Sequence, residues 1–550
     1  MPTTIFDGFL LARLLHGGAA NLKANKQTVN DLNVFPIPDG DTGDNMFLTI
    51  NAGAVAAGDG SDSLSQTAGK AASGMLLGAR GNSGVILSRI FAGLAKGFEG
   101  VETADVRALG TAFESGVKEA YGAVSVPVEG TILTVLKDSV AFANGNIRAD
   151  STLESYFADF TRELQLSLER TPDLLDVLRE AGVVDSGGAG LGYIIDGFLS
   201  VLRGKEIAQS GSAPSEAPQS VDLDAFTENS VLEFGYCTEF LLRLQTSKID
   251  VDAFETDELI DYLNSVGESV VCFREGTIVK VHVHTMNPGN IINKMQEYGE
   301  FLTFKMENMT LQHNENHMTE KLAPKAKLPY KPFGVVSVAA GEGIKDAFVS
   351  LGCDAVVDGG QSMNPSAQDL IAAFRRINAD VILVFPNNSN IIMTAKQAAQ
   401  LYTDADVRVV PTKTIGEGYA AISMLDTSSG DPDAIVAELE EVIADVVTGM
   451  VSRAVRDTEM NGVAVRKDDF IGFVGDTIHT ACETRNEAAV KLCEATNARR
   501  YDIMLLVCGS DATDEEAQAL CKALKKQYRR TEIVMINGCQ PIYDYIIILE

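Results

Sequence analysis

Tryptophan is absent from this 550-residue sequence, and several patterns that would assign it to a class are absent too. The eight cysteines include no CxxC pair, which argues against a zinc ribbon and a disulfide framework. No GxxxxGK[ST] segment occurs, so the P-loop class is excluded. No apolar run reaches the roughly 18 residues of a membrane span, and the first residues lack the features of a signal peptide. We therefore expect a cytoplasmic protein with no transmembrane segment.

Basic residues are scarce relative to acidic ones. The sequence has 45 lysines and arginines against 76 aspartates and glutamates, which gives a formal net charge of −31. A nucleic-acid partner is not expected, because nothing would drive the release of counterions from a phosphate backbone. An acidic substrate must instead be held by local devices such as metal ions and helix ends. Since 45% of the residues are hydrophobic, the chain can bury a large core.

Chain length and two changes in composition predict three domains. A single core rarely exceeds roughly 250 to 300 residues. QSGSAPSEAPQS has no apolar periodicity and is typical of a flexible linker, whereas EKLAPKAKLPYKP is rich in proline and lysine and is typical of a stiffer one. The predicted order is a first domain at 1–205, a linker at 206–222, a middle domain at 223–319, a linker at 320–332 and a last domain at 333–550.

The spacing of apolar residues predicts a different fold class for each domain. The first domain has long stretches with helical spacing, such as GVILSRIFAGLAKGF, which predicts an all-α fold. The middle domain mixes the alternating run GTIVKVHVHT with the helical run TDELIDYLNSVG, which predicts a small α+β fold. In the last domain apolar strands alternate with helical stretches, which predicts an α/β fold with a largely parallel sheet.

An acidic loop, NVFPIPDGDTGDNM, occupies residues 33–46. Its two prolines hold the chain extended, and Gly40 allows a turn that brings Asp39 and Asp41 to face one point. Carboxylates beside an open pocket suit Mg²⁺, which prefers oxygen ligands and is completed by substrate phosphates. Thr42 can cap a helix that begins near Asp44, and the positive end of that helix favours a phosphate. The alternative is an ordinary surface turn, because aspartate and glycine are common turn residues.

Two further glycine-rich turns lead into apolar helices. They are GARGNSG at 78–84 and VVDSGGAGLG at 183–192, and their amides and hydroxyls can cradle phosphate oxygens. Each alone can be a simple helix connection, and GGAGLG lacks the spacing and the preceding strand unit of a dinucleotide fold. Three such helix starts in one α-domain, one of them acidic, predict a metal and nucleotide site built from helix ends.

LNVFPIPDGDTGDNM, GARGNSG and VDSGGAG, in this order, resemble the ATP-binding domain of the dihydroxyacetone kinase L-subunit family. With its middle and last domains, the whole chain resembles the catalytic subunit of bacterial fatty acid kinase. The resemblance implies a multidomain protein with a helical barrel that binds Mg-ATP at one end and a DegV-like C-terminal domain. It also implies a DegV-family carrier protein that presents a fatty acid, which is phosphorylated to acyl phosphate for phospholipid synthesis.

The resemblance assigns roles to particular residues. Asp39 and Asp41 match two metal-binding aspartates of the family and are expected to bind Mg²⁺ and support catalysis. The third family aspartate lies upstream, where this chain has Asn33. Asn33 can ligate through its amide oxygen, Asp44 can substitute, or one metal is bound less tightly. The resemblance implies nucleotide contacts for Thr42, Asn45, Met46, Asn82, Ser83, Gly84, Thr131, Leu133, Asp185, Ser186 and Gly187.

The middle domain contains a candidate zinc site. In KVHVHT, strand alternation places His282 and His284 on one face, about 7 Å apart in Cα position. Cys237 would complete a Cys/His/His site of the kind that zinc takes, and the resemblance favours that reading. The alternatives are a polar strand face without metal, a partner contact or a role in acyl handling. His313 and His317 in HNENH share one helical face that we expect to be solvated, although His313 can reach the first site. The remaining histidine of the first domain, His16, is expected to be structural or exposed.

Polar turns follow three strands of the last domain, at 358–366, 385–390 and 411–418. This is the usual place of ligand loops in α/β sheets. We expect them to serve docking of the carrier or formation of a homodimer, with a vestigial pocket as the alternative. The leading prediction is an ATP-dependent fatty acid kinase. Its rivals are a small-molecule kinase of the dihydroxyacetone type and a regulatory protein that senses Mg-ATP without turnover.

Overall fold

The computed structural model describes residues 4–32, 37, 40–61, 63–124, 126–205, 236–251, 254, 256–275, 277–308, 329–360 and 364–550. The chain divides into two compact units. The first unit combines residues 1–211 with residues 327–550, and the second contains residues 212–326. The predicted linker at 206–222 and most of the one at 320–332 lie outside the described residues. The domain boundaries therefore stay predictions, as does the helical face of His313 and His317, which lies outside them too.

The described residues between 4 and 205 are all-helical apart from one isolated bridge between Phe6 and Ala104, as predicted. Short polar side chains begin most of the longer helices: Asp7, Ser63, Asp105, Thr131, Thr152 and Asp185 accept N-terminal amides and so satisfy donors that have no helical partner. The helices are α1 Gly8–Asn30, α2 Thr42–Ala57, α3 Leu64–Gly78, α4 Gly81–Gly97, α5 Val106–Ala123, α6 Ile132–Gly145, α7 Leu153–Glu169, α8 Thr171–Leu174, α9 Asp176–Ala181 and α10 Ser186–Leu202.

One apolar core holds these helices together. Helix α1 illustrates the cause: Leu11, Leu14, Leu15 and Leu22 recur at helical spacing and are all buried. They belong to a single cluster that also contains Ile194 and other residues of α10. At about 25 cal/mol for each Å² of apolar surface removed from water, burial of this cluster is the main stabilising contribution to the helical domain.

The second unit is a four-stranded antiparallel sheet with two helices, in the strand order β2-β3-β1-β4. This confirms the predicted α+β class. Val279, Val281 and Val283 are fully buried, as the alternating pattern of GTIVKVHVHT requires. The elements are β1 Tyr236–Leu244, α11 Thr256–Val266, β2 Glu268–Glu275, β3 Ile278–Thr285, α12 Pro288–Met295 and β4 Gly299–Asn308.

The C-terminal half of the first unit begins with an all-parallel sheet in the order β6-β5-β7-β8. The end of β5 is buried without alternation, as expected for a parallel strand with helices on both faces. The elements are β5 Lys331–Ala339, α13 Glu342–Ser350, β6 Ala355–Asp358, α14 Ala367–Arg376, β7 Ala379–Phe385, α15 Ser389–Leu401, β8 Asp406–Val409, α16 Ile415–Ser423 and α17 Pro432–Ala444.

The other sheet of this half corrects the prediction of a largely parallel arrangement. Its order is β13-β12-β9-β16-β14-β15, and only β14 and β15 pair in parallel. Strands β9 to β13 follow one another without intervening helices, and such short connections produce antiparallel pairs. The elements are β9 Val447–Arg453, β10 Thr458–Met460, β11 Val463–Val465, β12 Phe470–Val474, β13 Thr477–Cys482, α18 Arg485–Ala495, β14 Ile503–Cys508, α19 Asp514–Gln527, β15 Glu532–Asn537 and β16 Tyr543–Leu549.

Candidate functional site

The N-terminal ends of α2, α4, α6 and α10 meet at one end of the helical domain. The Ser186 and Thr42 hydroxyls lie 3.3 Å apart, which joins the starts of α10 and α2. The carboxylate of Asp185, at the start of α10, accepts hydrogen bonds from the amides of Gly188 and of Ile132, the first residue of α6. The structure therefore brings together the acidic loop and both glycine-rich turns.

Close approach of α4 to α2 requires glycine at the start of α4. Gly81 has a φ of +58°, which favours glycine. A Cβ atom there would lie 2.6 Å from Asn45 Nδ2, so a side chain would also collide with α2. The turn GARGNSG thus has a structural reason for its glycine that adds to the expected role of its amides.

Several helix ends pointing at one place create a site for an anion. Each helix start carries amides without a helical partner and a partial positive charge. Four such starts together suit the phosphates of a nucleotide. At the mouth, the Asp41 carboxylate and the hydroxyls of Thr42 and Ser186 supply oxygen atoms, which are the ligands that Mg²⁺ takes. The residues present therefore fit a magnesium–nucleotide complex.

The two described aspartates of the acidic loop have different partners. Asp41 lies just before α2, and its Oδ2 accepts a short hydrogen bond from Asn364 Nδ2. Asp44 Oδ1 lies 2.6 Å from Lys26 Nζ, and its Oδ2 accepts a bond from Asn30 Nδ2 at 2.6 Å. Asn30 also accepts the Gly43 amide at 2.7 Å. Asp44 thus joins α2 to α1 with both oxygens occupied, whereas Asp41 faces the C-terminal half of the chain.

Asp39 and Asn33 lie outside the described residues, so the choice between Asn33 and Asp44 as a third magnesium ligand stays open. Among the described side chains, no group of three or more histidine, cysteine or acidic residues can hold a metal ion. That search does not include Asp39. The assignment of Asp39 and Asp41 to magnesium stays a prediction.

Burial separates the predicted nucleotide-binding residues into two groups. The side chains of Met46 and Leu133 lie in the helical core, at 0% and 2% exposure, so only their backbone atoms can reach a ligand. Ser83 and Ser186 are partly exposed at their helix starts, and Asn82 Nδ2 donates to Asn390 Oδ1 at 3.2 Å. The remaining members lie in or beside the first turns of the same four helices: Thr42, Asn45, Gly84, Thr131, Asp185 and Gly187.

Asp185 carries an unusual proton affinity. Burial raises the pKa of its carboxyl to about 6, and the hydrogen bonds from Gly188 and Ile132 oppose that rise. Its position as the cap of α10 is set by local sequence, since aspartate is among the preferred residues there. It therefore fixes the starts of α10 and α6 beside each other.

Sequence analysis missed the C-terminal residues that complete this end of the molecule. Arg80 Nη1 donates to the Asn364 carbonyl at 2.7 Å, and Arg80 Nη2 lies 3.4 Å from Asp369 Oδ2. The polar turns at 358–366 and 385–390 were recognised as ligand loops, and they contain Asn364 and Asn390. Nothing in their sequence identifies the helical domain as what they contact.

The candidate zinc residues belong to the second unit. The backbone register of β1 and β3 pairs Cys237 with His284 and Glu239 with His282. The side chains of Cys237, His282 and His284 are outside the described part, and no described side chain supports a zinc site. His16 is exposed, with Nε2 3.1 Å from the Gly58 carbonyl, which agrees with its predicted structural role.

Comparison with known proteins agrees with this order of domains. A DAK2 domain model matches residues 36–200, and models of the FakA-like family, named for fatty acid kinase, match residues 233–316 (middle domain) and 334–550 (C-terminal). Protein YloV of Bacillus subtilis (strain 168) is 39% identical over 564 residues, which cover 100% of both chains. An uncharacterized protein of Staphylococcus aureus (strain USA300) is 36% identical over 99% of both chains.

Solved structures with related parts include a DegV family protein from Thermus thermophilus, described as fatty acid binding, with a TM-score of 0.31 and 14% identity, covering 40% of this chain and 100% of that one. Dihydroxyacetone kinase from C. freundii in complex with AMP-PNP and Mg²⁺ has a TM-score of 0.28 and 20% identity, covering 36% of this chain and 35% of that one.

The helical domain and its site are thus those of a DAK2-type protein with additional α+β and α/β domains. The chain belongs to the FakA-like family of fatty acid kinase, as the family models and the full-length relative show. No helix in the described ranges is long and apolar enough to cross a membrane.

Proposed function

We propose that this protein transfers the γ-phosphate of ATP to the carboxylate of a fatty acid that a separate DegV-family carrier protein presents, and so makes acyl phosphate for phospholipid synthesis. The observation that carries the proposal is the convergence of four helix N-termini beside Asp41. Membership of the FakA-like family of fatty acid kinase supports the choice of acceptor.

The reaction requires little acid–base chemistry. A carboxylate oxygen of the fatty acid forms a bond to the γ-phosphorus, the bond from that phosphorus to the β,γ-bridging oxygen breaks, and ADP leaves. The fatty acid carboxylate is already ionised near neutral pH, so no general base is needed. The protein has to position the reactants and offset negative charge.

Each group at the helix ends has a role in this proposal. Asp41, together with Asp39, holds Mg²⁺, which supplies positive charge to the β- and γ-phosphates. The amides at the starts of α4 and α10, near Ser83 and Gly187, bind phosphate oxygens. Thr42 and Ser186, whose hydroxyls lie 3.3 Å apart, orient the nucleotide at the mouth of the site.

Two further expectations concern the rest of the chain. Cys237, His282 and His284 are proposed to hold a structural zinc ion, which the pairing of Cys237 with His284 across β1 and β3 supports. Metal analysis of the purified chain and of a His284→Ala variant tests this. The chain is also proposed to form a homodimer in the cytoplasm, and light scattering of the eluting protein measures its mass.

One observation favours a second function. Asn364 donates a hydrogen bond to Asp41, so the C-terminal half is in direct contact with the proposed metal ligand. A regulatory protein that senses Mg-ATP would need such a link between its site and the rest of the chain. A small-molecule kinase of the dihydroxyacetone type remains the other alternative, and the two additional domains count against it.

The test measures ADP formation from Mg-ATP by the purified chain with oleate, in the presence and absence of a fatty-acid-loaded carrier protein from the same organism. Turnover that needs both oleate and carrier is expected. Turnover with dihydroxyacetone and no carrier would favour the small-molecule kinase. Binding of Mg-ATP without turnover, with the carrier shown to be loaded, would contradict the kinase proposal and favour the sensor.

A further inference from the structure

The C-terminal half of the first unit lies against the mouth of the nucleotide site. Asn364 Nδ2 donates to Asp41 Oδ2, and Asn364 in turn receives Arg80 Nη1 on its carbonyl at 2.7 Å. Asn82 Nδ2 donates to Asn390 Oδ1 at 3.2 Å. These contacts engage the predicted magnesium ligand and a predicted phosphate-binding residue with side chains from the other half of the chain.

The acidic loop is held from its other side as well. Ile37, which precedes Asp39 by two residues, is only 4% exposed. It packs in an apolar cluster of the C-terminal half that is otherwise made of Ala454, Met460, Val465, Ile471, Phe473 and Ile478. The loop that carries both predicted magnesium ligands is therefore anchored at Ile37 and at Asp41 by the same half of the chain.

Farther along the contact, α15 packs beside α3 and α4. Gln397 Nε2 donates to the Leu76 carbonyl, and Arg89 Nη2 donates to Gln400 Oε1 at 3.1 Å. Apart from Ile37, these named contacts are polar, which is typical of interfaces that form and break rather than of a permanent core. We call this surface, from Ile37 and Asp41 to Arg89, the seam.

The seam leaves buried polar atoms without partners. Asn82 Oδ1, Arg89 Nε, Asn364 Oδ1 and Gln397 Oε1 are buried and have no hydrogen-bond partner in the chain. Such atoms destabilise the arrangement that buries them, because they lose their bonds to water. Opening the seam would expose these atoms to solvent, so the closed arrangement is held less firmly than its hydrogen bonds alone suggest.

Asn364 also occupies space that a nucleotide needs. Its Nδ2 lies 3.3 Å from the position that a Cβ of Gly81 would take, directly over the first residue of α4. The amide therefore stands between the Asp41 carboxylate and the start of α4. Metal ions and phosphates bound by these same groups would have to displace it.

We propose that the C-terminal half is a reversible cover of the Asp41 site, which closes through the seam when nucleotide is absent and withdraws when a magnesium–nucleotide complex binds. This regulation rests on the proposed function, since it concerns the same site. It also means that Arg80, Asn82 and Arg89 become available to another protein only in the open state. A carrier that presents a substrate to this site would therefore compete with the cover.

The first test is the affinity of the full-length chain for AMP-PNP with Mg²⁺, measured by calorimetry. Asn364→Ala removes the bond to Asp41 and is expected to tighten binding on the order of tenfold, as for a hydrogen bond to a charged group. Gln397→Ala touches no proposed ligand and is expected to tighten it severalfold by weakening the seam. Gln527→Ala, which removes an exposed bond to Glu494 within the C-terminal half, is the matched control and should change nothing.

The sign of the change separates two roles for Asn364. If Asn364 completes the nucleotide site rather than covering it, Asn364→Ala weakens binding, and the proposal is overturned. Unchanged affinity in both seam variants also overturns it. Absence of any Mg-AMP-PNP binding in every variant would overturn the cover together with the kinase proposal, whereas absent turnover with these shifts intact would contradict the kinase alone.

A second measurement follows the opening itself. Ile37→Cys places a thiol in the buried position of the acidic loop, and its modification by a maleimide is followed by mass spectrometry of the peptide. Addition of Mg-AMP-PNP is expected to accelerate labelling at position 37 severalfold, while native Cys493, which is 1% exposed outside the seam cluster, should not respond. Slower or unchanged labelling at position 37 would contradict opening of the seam.

Discussion

The first turn of α2 has two faces with different chemistry. On the face toward α1, Asp44 is held by the ammonium group of Lys26 and the amide of Asn30. On the face toward the C-terminal half, the partner of Asp41 that lies across the seam is a neutral amide, that of Asn364. An amide satisfies a carboxylate without neutralising its charge. The first arrangement fixes a helix, whereas the second leaves Asp41 able to attract a cation.

This difference explains why two aspartates three residues apart need not share a function. Asp44 can serve the fold with its present partners, because Lys26 and Asn30 belong to the helix against which α2 packs. Asp41 makes its contact with a residue more than 300 positions away in sequence, on a surface that contains unpaired buried atoms. Its partner can change without disturbing the helical core.

The largest effect is expected when Asp41 loses its charge but keeps its shape. Asp41→Asn still offers an oxygen to Asn364, so the seam should stay closed, but a neutral amide is a poor magnesium ligand. We expect carrier-dependent ADP formation to fall on the order of a thousandfold, because metal stabilisation of the transferring phosphate contributes several kcal/mol.

The matched control for that experiment is Asp31→Asn. Asp31 is an exposed aspartate just after α1 that accepts a bond from Gln27 at 2.8 Å. Its variant should retain full activity. If Asp41→Asn keeps more than a tenth of wild-type turnover, the functional distinction between the two faces of α2 fails.

The fold classes and the helix starts could be predicted because their causes are local. Asp, Ser and Gly at positions such as Asp185, Ser186 and Gly81 determine where a helix begins and what its amides can bind. The antiparallel sheet was not predicted, since short strands such as β10 and β11 carry little periodicity. The contact of Asn364 with Asp41 was also missed, because no local pattern records a pairing between residues so far apart.

A third carboxylate, Asp185, provides a smaller effect that depends on pH. In the folded chain burial raises the pKa of this group to about 6, whereas an unfolded aspartate has a pKa near about 3.9. The folded state therefore binds more protons between these values, and the free energy of unfolding falls as the pH rises through that window. The fall attributable to Asp185 is at most about 3 kcal/mol.

Asp185→Asn keeps a good helix cap and removes the titration. Urea unfolding of both proteins between pH 4 and pH 7, followed by circular dichroism because the chain has no tryptophan, should show that the variant lacks this decline. Asp105→Asn, which changes the exposed cap of α5, is the control and should retain it. An identical decline in the Asp185 variant would mean that other groups cause it.

The smallest effect is expected on the α1 face. Lys26 and Asp44 are both about 40% exposed, at 41% and 39%, and an ion pair of this kind contributes about 0 to 1 kcal/mol to stability. Lys26→Met should therefore lower the free energy of unfolding by less than about 1 kcal/mol, with Asn30 still bound to Asp44. If Asp44 serves only to join the two helices, the magnesium concentration that gives half-maximal turnover should stay within about twofold of wild type, since a surface charge change at this distance from the phosphates is largely screened. A clear decrease in that concentration would show that Lys26 had been competing with magnesium for Asp44. Asp44 would then be the third ligand, and the two faces of α2 would form one metal site.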